Sequence, residues 1–412
     1  MPILLQTVGI IAEFNPFHKG HQYMIETAKK VTNASHAIIV MSSSFVQRGE
    51  PACFDKWTRA SCALRCGASM VLELPVLFSA ANAEIFATGA IKVFNDSGMI
   101  DALCFGSESG DLASMEEAAK LMLNETEEFQ RLLKNNLDQG MSYPSARAQA
   151  LETVSHISKE ILSRPNHILG LEYLKALYRT NSTIQPFTIQ RKGNAYDDPS
   201  LSGEFASAAA IRKALQEENS TEAFLQVPDV LVDDLTKEIS LGRAPATWEH
   251  LAGALHYKLR TTSAADIKEM FEVTEGLENR ILRAIENGYM VEDLIDFIKS
   301  KRYTRTKIQR ILTHILLDLN TKEVEYFLHR NHLPYIRVLG FQKEHAELVG
   351  ELTETAKCPV LTNLKKAPEQ LDKDGMHLLA LEKLATDLQA MASPNPLYRA
   401  PNRDFTIPMA II

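Results

Sequence analysis

The chain has 412 residues, 45% hydrophobic and 23% charged, with a net charge of −8. That length suits two or three domains, and the composition is that of a soluble globular protein with a sizeable core. The acidic balance excludes a general polyanion binder, so any nucleic-acid contact has to use a local basic patch.

The first half alternates strands and helices. Strands are expected at Val8–Ala12, His36–Met41, Met70–Leu74, Ala102–Phe105 and Ile184–Ile189. Helical patterns fall on Gln22–Lys30, Thr58–Leu64, Ala83–Phe94, Met115–Leu133 and Leu169–Tyr178, with Met24 and Ile25 on the inner face of the first. Such alternation implies an α/β, Rossmann-like domain with a parallel sheet over about residues 1–215, and a ligand at the carboxyl ends of the strands. A helical domain is expected over 216–330, with helices at roughly 229–239, 247–260, 264–286, 291–300, 304–318 and 321–330 and a turn at Asn287-Gly288. A small α/β region, 331–412, follows. Tyr335–Phe341 and Pro359–Leu364 read as strands around a helix at 343–356, another helix lies near 377–390, and the proline-rich residues 393–412 read as extended.

No apolar run approaches the roughly 18 residues of a membrane span, so no membrane association is expected. Residues 1–12 are apolar without the basic lead of a secretory signal. Cys53, Cys62, Cys66, Cys104 and Cys358 are an odd, scattered set, as expected of free thiols in a reducing cytoplasm. Cys62 and Cys66 lack nearby metal-ligand partners, so they read as packing residues and no metal site is expected.

The stretch GIIAEFNPFHKGH, residues 9–21, carries the chemistry. It joins the first strand to the first helix, where backbone N–H groups and the helix dipole favour an anion. His18 and His21 can donate to phosphate oxygens as charge grows on them during nucleotidyl transfer. Gly20 lets the chain approach the phosphates closely. His-x-Gly-His arises by chance on the order of 0.02 times in such a chain, which favours this role over two solvent-exposed histidines at a helix start. SAAAIR, Ser207–Arg212, resembles the Ser-Ser/Thr-Thr-x-Ile-Arg motif that accompanies His-x-Gly-His in nucleotidylyltransferases, with Ala208 and Ala209 where that motif carries hydroxyls.

AEFNPFHKGH resembles the His-x-Gly-His signature of the nucleotidylyltransferase superfamily. With FVQRGEPA, DKWTRA, VLELP, CFGSE, RPNHILGLEYLKAL and QRKG in the same order, the chain resembles the bacterial tRNA(Met) cytidine acetate ligase family over most of residues 7–215 and more weakly beyond. Ser43-Ser44 stands where that family carries Gly-Asn. The resemblance implies an ATP-dependent ligase that adenylates acetate and passes the acetyl group to the wobble cytidine of elongator tRNA(Met), with Mg²⁺ able to accompany ATP and no protein partner implied. It implies ATP contact by Thr7, Val8, Gly9, Ile10, Ile11, Ala12, Glu13, Phe14, Asn15, Pro16, Phe17, His18, Lys19, Gly20, His21, Gly106, Asn166, Arg191 and Lys192, with His18 and His21 catalytic.

Each has a plain reading beside it. Gly106 can be a strand-end turn as well as room for adenine or ribose. Asn166 can cap a helix beginning near His167. Arg191 and Lys192 can be surface charges as well as a grip on phosphate. Arg48, Asp55, Lys56 and Arg59 lie in or beside the loop after the second strand, where the cations can hold acetate or pyrophosphate, or all four can simply form a solvated loop and helix start. Lys299–Arg310 has six basic residues and no acid, with Tyr303 interleaved. Lys301, Arg302, Arg305 and Lys307 suit an RNA backbone or a solvated helix face. Two rival functions remain at this stage: a cofactor adenylyltransferase of the pantetheine-phosphate type, and a non-catalytic tRNA-binding protein with a relic ATP site.

Overall fold

A computed structural model describes residues 6–141, 143–155, 164–191, 201, 205–217, 219–274, 276–286, 290–300 and 302–412. Lys192, Lys301 and the expected Asn287-Gly288 turn lie outside the described residues.

The fold is mixed α/β around a mostly parallel sheet. Five strands occur where the sequence pattern puts them, most running a residue or two longer: β1 Thr7–Ala12, β2 His36–Ser42, β3 Met70–Leu74, β4 Ala102–Ser107 and β5 Gln185–Gln190. They pair in parallel in the order β3-β2-β1-β4-β5. The order reverses between β1 and β4, and a crevice opens there at the carboxyl ends of the strands. Both faces are covered, which is why these strands read as near-continuous apolar runs. In β2 the two-residue period sorts Ile38 and Val40 into one core, and Ala37, Ile39 and Met41 into the other.

Three further strands complete the sheet: β6 Ile336–Phe341, β7 Val360–Leu361 and β8 Ala410–Ile411. β6 pairs antiparallel with β3, and β7 and β8 each pair in parallel with β6. The carboxyl-terminal region thus extends the central sheet. Within 393–412, expected to be extended, a short helix Arg403–Thr406 precedes β8. The helical segment shares one core with a sheet face: Trp248, Leu255, Ile281, Leu294 and Ile311 pack in the same cluster as Ile38, Leu72 and Leu103.

Two long helical expectations are corrected. Met115–Leu133 is two helices, Leu112–Leu123 and Glu127–Asp138, because Thr126 caps the second by accepting the Phe129 amide. The stretch 264–286 is likewise broken into Ala264–Glu269 and Leu277–Glu286, with Glu272 between them at φ 65°. Among the described residues no helix is long and apolar enough to cross a membrane.

Candidate functional site

A cavity of about 260 Å³ lies at the β1/β4 crevice. Of the expected ATP contacts, Ile10, Ile11, Ala12, Glu13, Phe14, Asn15, His18, Gly20, His21, Gly106, Asn166 and Arg191 line it. Thr7, Val8 and Gly9 belong to the opposite end of β1. Thr7 donates to the Met99 carbonyl, Val8 is in the core, and a Cβ on Gly9 would stand 2.7 Å from the Phe94 ring. Pro16, Phe17 and Lys19 do not line the cavity either. Phe17 is buried against Phe14, and Lys19 turns away, its Nζ donating to the Leu225 carbonyl at 2.8 Å.

The join between β1 and the helix Lys19–Thr32 is sharply shaped. Phe14 has a φ of 50°, the Asn15–Pro16 bond is cis, and His18 is the N-cap. Nδ1 of His18 accepts the Gly20 amide at 3.1 Å, and Nδ1 of His21 accepts the His18 amide at 3.2 Å. This is a capping box built from imidazoles in place of Ser and Glu. Gly20 makes it feasible, since a Cβ there would stand 2.9 Å from the His18 ring. The rings stack with centroids 3.8 Å apart. Since each Nδ1 is an acceptor, the neutral rings carry their proton on Nε2. Burial, followed by Arg191 and Arg212, lowers the His18 pKa to about 3, and burial, followed by His18, lowers that of His21. Both rings are therefore neutral Nε2–H donors at neutral pH.

Cations come from three separate places. Arg48 follows β2, Arg191 follows β5, and Arg212 lies on the helix Ala208–Gln216, whose N-cap is Ser207. Ser207, Ala208 and Ala209 also line the cavity, so a second helix N-terminus faces it although two hydroxyls are missing from the motif. Arg212 donates to the Asn15 carbonyl at 2.6 Å and pairs with Glu50 at 3.5 Å. Asn15 is buried: its Oδ1 accepts the Cys53 amide at 2.8 Å, while its Nδ2 has no partner among the described residues. Burial raises the Glu13 pKa, and its carboxyl accepts the Gln47 amide at 2.8 Å.

Asn166 is not the cap of its helix. The helix Pro165–Arg179 starts one residue earlier, and Glu108 from the end of β4 accepts the amides of Asn166 at 3.1 Å and His167 at 3.0 Å. The same carboxylate accepts Asn166 Nδ2 at 2.8 Å, which holds that side chain at the cavity wall. Gly106 lies inside β4 and is not a turn. The stem of Arg191 packs over it, 3.2 Å from where a Cβ would stand.

The four charged residues in or beside the loop after β2 divide. Arg59 is buried and donates to the carbonyls of Glu13, Ser42, Ser43 and Phe54. Lys56 is sealed between Glu73 at 2.7 Å and Asp404 at 2.8 Å. Asp55 caps the helix Lys56–Arg65 and pairs with Arg403 at 2.7 Å. Of the four, Arg48 alone lines the cavity. Ser43 and Ser44 face the helix Lys373–Met391, contacting Glu382 and Thr386.

Sequence reasoning missed the apolar wall of Phe86, Phe105, Leu169, Tyr173 and Phe205. Phe105 falls in the stretch CFGSE, and Leu169 and Tyr173 share the helix Pro165–Arg179, but apolar side chains there carry only the signal of core residues.

The basic stretch Lys299–Arg310 is split by burial. Arg310 is buried and pairs with Glu272 at 2.7 Å, and Gln309 donates to Glu50 at 3.2 Å. Arg302 is exposed, Arg305 pairs with Glu292 and Asp296, and Lys307 lies 5.3 Å from the Tyr303 ring centroid.

A family model of the HIGH nucleotidyl transferases matches residues 5–404. The chain is 38% identical over 409 residues to the tRNA(Met) cytidine acetate ligase of Acetivibrio thermocellus, covering 98% of this chain and 99% of that protein. The enzyme of the same name from Caldanaerobacter subterraneus is 39% identical over 95% of this chain and 96% of its own length. Among solved structures, Thermotoga maritima TmcAL bound with alpha-thio ATP superposes with a TM-score of 0.91 at 31% identity, over 99% of this chain and 100% of that one. Its apo form gives a TM-score of 0.93 at 32% identity with the same coverage. The chain therefore belongs to the tRNA(Met) cytidine acetate ligase family of HIGH nucleotidyl transferases.

Proposed function

We propose that this protein activates acetate with ATP and transfers the acetyl group to the wobble cytidine of elongator tRNA(Met), forming N-acetylcytidine. The observation that carries the first step is the His18–His21 pair: two neutral imidazoles, each locked by its Nδ1, each with Nε2–H left to donate, at a helix N-terminus lining the cavity. Acetate attacks the α-phosphorus, the bond to pyrophosphate breaks, and negative charge grows on the phosphoryl oxygens. Preorganised donors in a buried site stabilise that charge without reorganising. Arg48, Arg191 and Arg212 neutralise the triphosphate from three sides. Asn15 Nδ2, buried and without a partner among the described residues, suits a carboxylate or phosphate oxygen. Adenine lies towards Gly106, Leu169 and Asn166, and Lys192, next in sequence to Arg191, is proposed as a further ATP contact.

Mg²⁺, where it takes part, enters on the phosphates of ATP. Glu13, whose burial raises its pKa and whose oxygen accepts the Gln47 amide, is a poor ligand for it. In the second step the cytidine amine attacks the acetyl carbonyl, the acyl–phosphate bond breaks and AMP leaves. Proximity accounts for much of that barrier. A tRNA substrate sets the reaction in the cytoplasm, and Lys301, Arg302, Arg305 and Lys307 are the proposed RNA contacts.

Incubation with ATP, labelled acetate and tRNA, followed by mass spectrometry of the nucleosides, tests this directly. Acetylcytidine should appear together with AMP and pyrophosphate. AMP release that ignores acetate, or that answers only to a phosphorylated cofactor precursor, would overturn the assignment.

A further inference from the structure

We propose that His36, His345 and Glu347 form a binding site for a divalent transition-metal ion of the zinc type, at the edge of the sheet opposite the nucleotide cavity. His36 is the first residue of β2 and pairs with Thr7 at the start of β1, whereas the cavity opens beyond the other end of β1. β6 runs antiparallel to β3, so its last residues return to this same edge. The turn Lys343–His345 and the helix Glu347–Thr355 follow directly. Residues far apart in sequence are thereby brought together by sheet topology.

One ligand atom from each of the three residues lies within 4.8 Å of the others. The two imidazoles meet edge to face, with centroids 4.7 Å apart. A second observation points to a ligand: Nδ1 of His36 is buried and has no hydrogen-bond partner among the described residues. An unsatisfied buried ring nitrogen is costly, and a metal ion would satisfy it. In a tetrahedral site with bonds of about 2.0–2.1 Å the ligand atoms lie closer together than this. Glu347 is exposed, so its carboxylate can swing inward to close the set. Glu351 lies one helical turn beyond Glu347, and its charge acts on His36. It or water completes the fourth position.

The donor chemistry selects the class of ion. Two imidazoles and a carboxylate suit Zn²⁺, Co²⁺ or Ni²⁺, whereas Mg²⁺ and Ca²⁺ favour oxygen-only sets. Bound there, the ion clips the segment after β6 to the start of β2. It stabilises the attachment of the carboxyl-terminal region and has no part in the acetate chemistry.

The test uses the full chain after chelator treatment. Titration with Zn²⁺ by calorimetry should give one equivalent per chain, Co²⁺ should develop d–d absorption, and Zn²⁺ but not Mg²⁺ should raise Tm by a few degrees. His36→Ala, His345→Ala and Glu347→Gln should each weaken Zn²⁺ binding by about tenfold or more. The last two lie on a surface turn and an exposed helix start, so they keep the test informative if His36→Ala folds poorly. Two results would overturn the proposal: no Zn²⁺ binding at about 100 μM, far above the affinity of structural sites, or unchanged binding in the His345→Ala/Glu347→Gln double variant, which would move the ion elsewhere.

Discussion

His18 and His21 are held in place by the backbone they cap, and burial keeps both rings neutral. Replacing either with Ala removes the donor that the proposed mechanism aims at developing charge and should slow acetyl adenylate formation by about 10²–10³. Acetate-dependent ATP–pyrophosphate exchange measures this, with circular dichroism confirming the fold. The pH behaviour follows from the same burial. The unfolded chain protonates His18 near its ordinary 6.5, whereas the folded chain resists until about 3. Between those values the unfolded state binds more protons, so this residue's share of stability is complete above about 6.5 and is lost as pH falls towards 3. In urea melts between pH 7 and 5, His18→Gln should flatten the acid-side loss by up to about 1.4 kcal/mol per pH unit below 6.5. Wild-type exchange should show no step at the ordinary histidine pKa. A clear inflection near 6.5 that His18→Gln removes would contradict the neutral pair.

The helix Arg305–Leu317 couples two sites that are well separated in sequence. Gly49, one residue past Arg48, has a φ of 76°, and a Cβ there would stand 2.3 Å from the Arg310 amide nitrogen. Its carbonyl accepts Trp248 Nε1 at 3.0 Å and the Thr313 hydroxyl at 2.9 Å. Glu50 beside it reaches both Gln309 and Arg212. Gly49→Ala is strained twice, by conformation and by contact. It should cost about 1–3 kcal/mol and raise the KM for ATP as Arg48 shifts, read by denaturant melts and exchange kinetics. The basic residues at and before the start of the helix should behave differently. Changing Lys301, Arg302, Arg305 and Lys307 to Ala should weaken tRNA binding and flatten its salt dependence by about 0.7–0.9 log units per lost phosphate contact. Acetyl adenylate formation should continue. Equal loss of both steps would mean that the whole helix had moved.

The molecule is closed by a buried ionic network joining its two ends. Lys56 touches Glu73 and Asp404, and Arg337 from β6 touches the same two carboxylates. Glu382, pushed up to about 8 by burial and by Glu73, contacts the Ser43 hydroxyl and the Val76 amide. Breaking one partner of such a set strands the others in low dielectric, at about 3–5 kcal/mol. Arg337→Met should therefore lower the urea midpoint sharply although it lies outside the cavity at the β1/β4 crevice, and Asp404→Asn in the same chain should recover part of the loss. Additive losses in the double variant would deny the coupling.

Local pattern was enough to read β1 to β5, the helix start after β1 and the place of His18 and His21 at it, because each depends on neighbours within a few residues: apolar runs, a glycine, a cap. The composition of Asp55, Lys56 and Arg59 suits a ligand-holding loop and a solvated one equally, yet all three are engaged by residues from elsewhere in the chain. Glu73, Asp404, Arg403 and the carbonyls of Ser42 and Ser43 are their partners, and nothing local announces them. The pairing of β6 with β3, the burial of Arg310, the split of the 264–286 stretch and the meeting of His36 with His345 are likewise contacts between distant segments. A single sequence carries the periodicity that makes an element, but which elements touch is decided only when burial of both sheet faces forces them together.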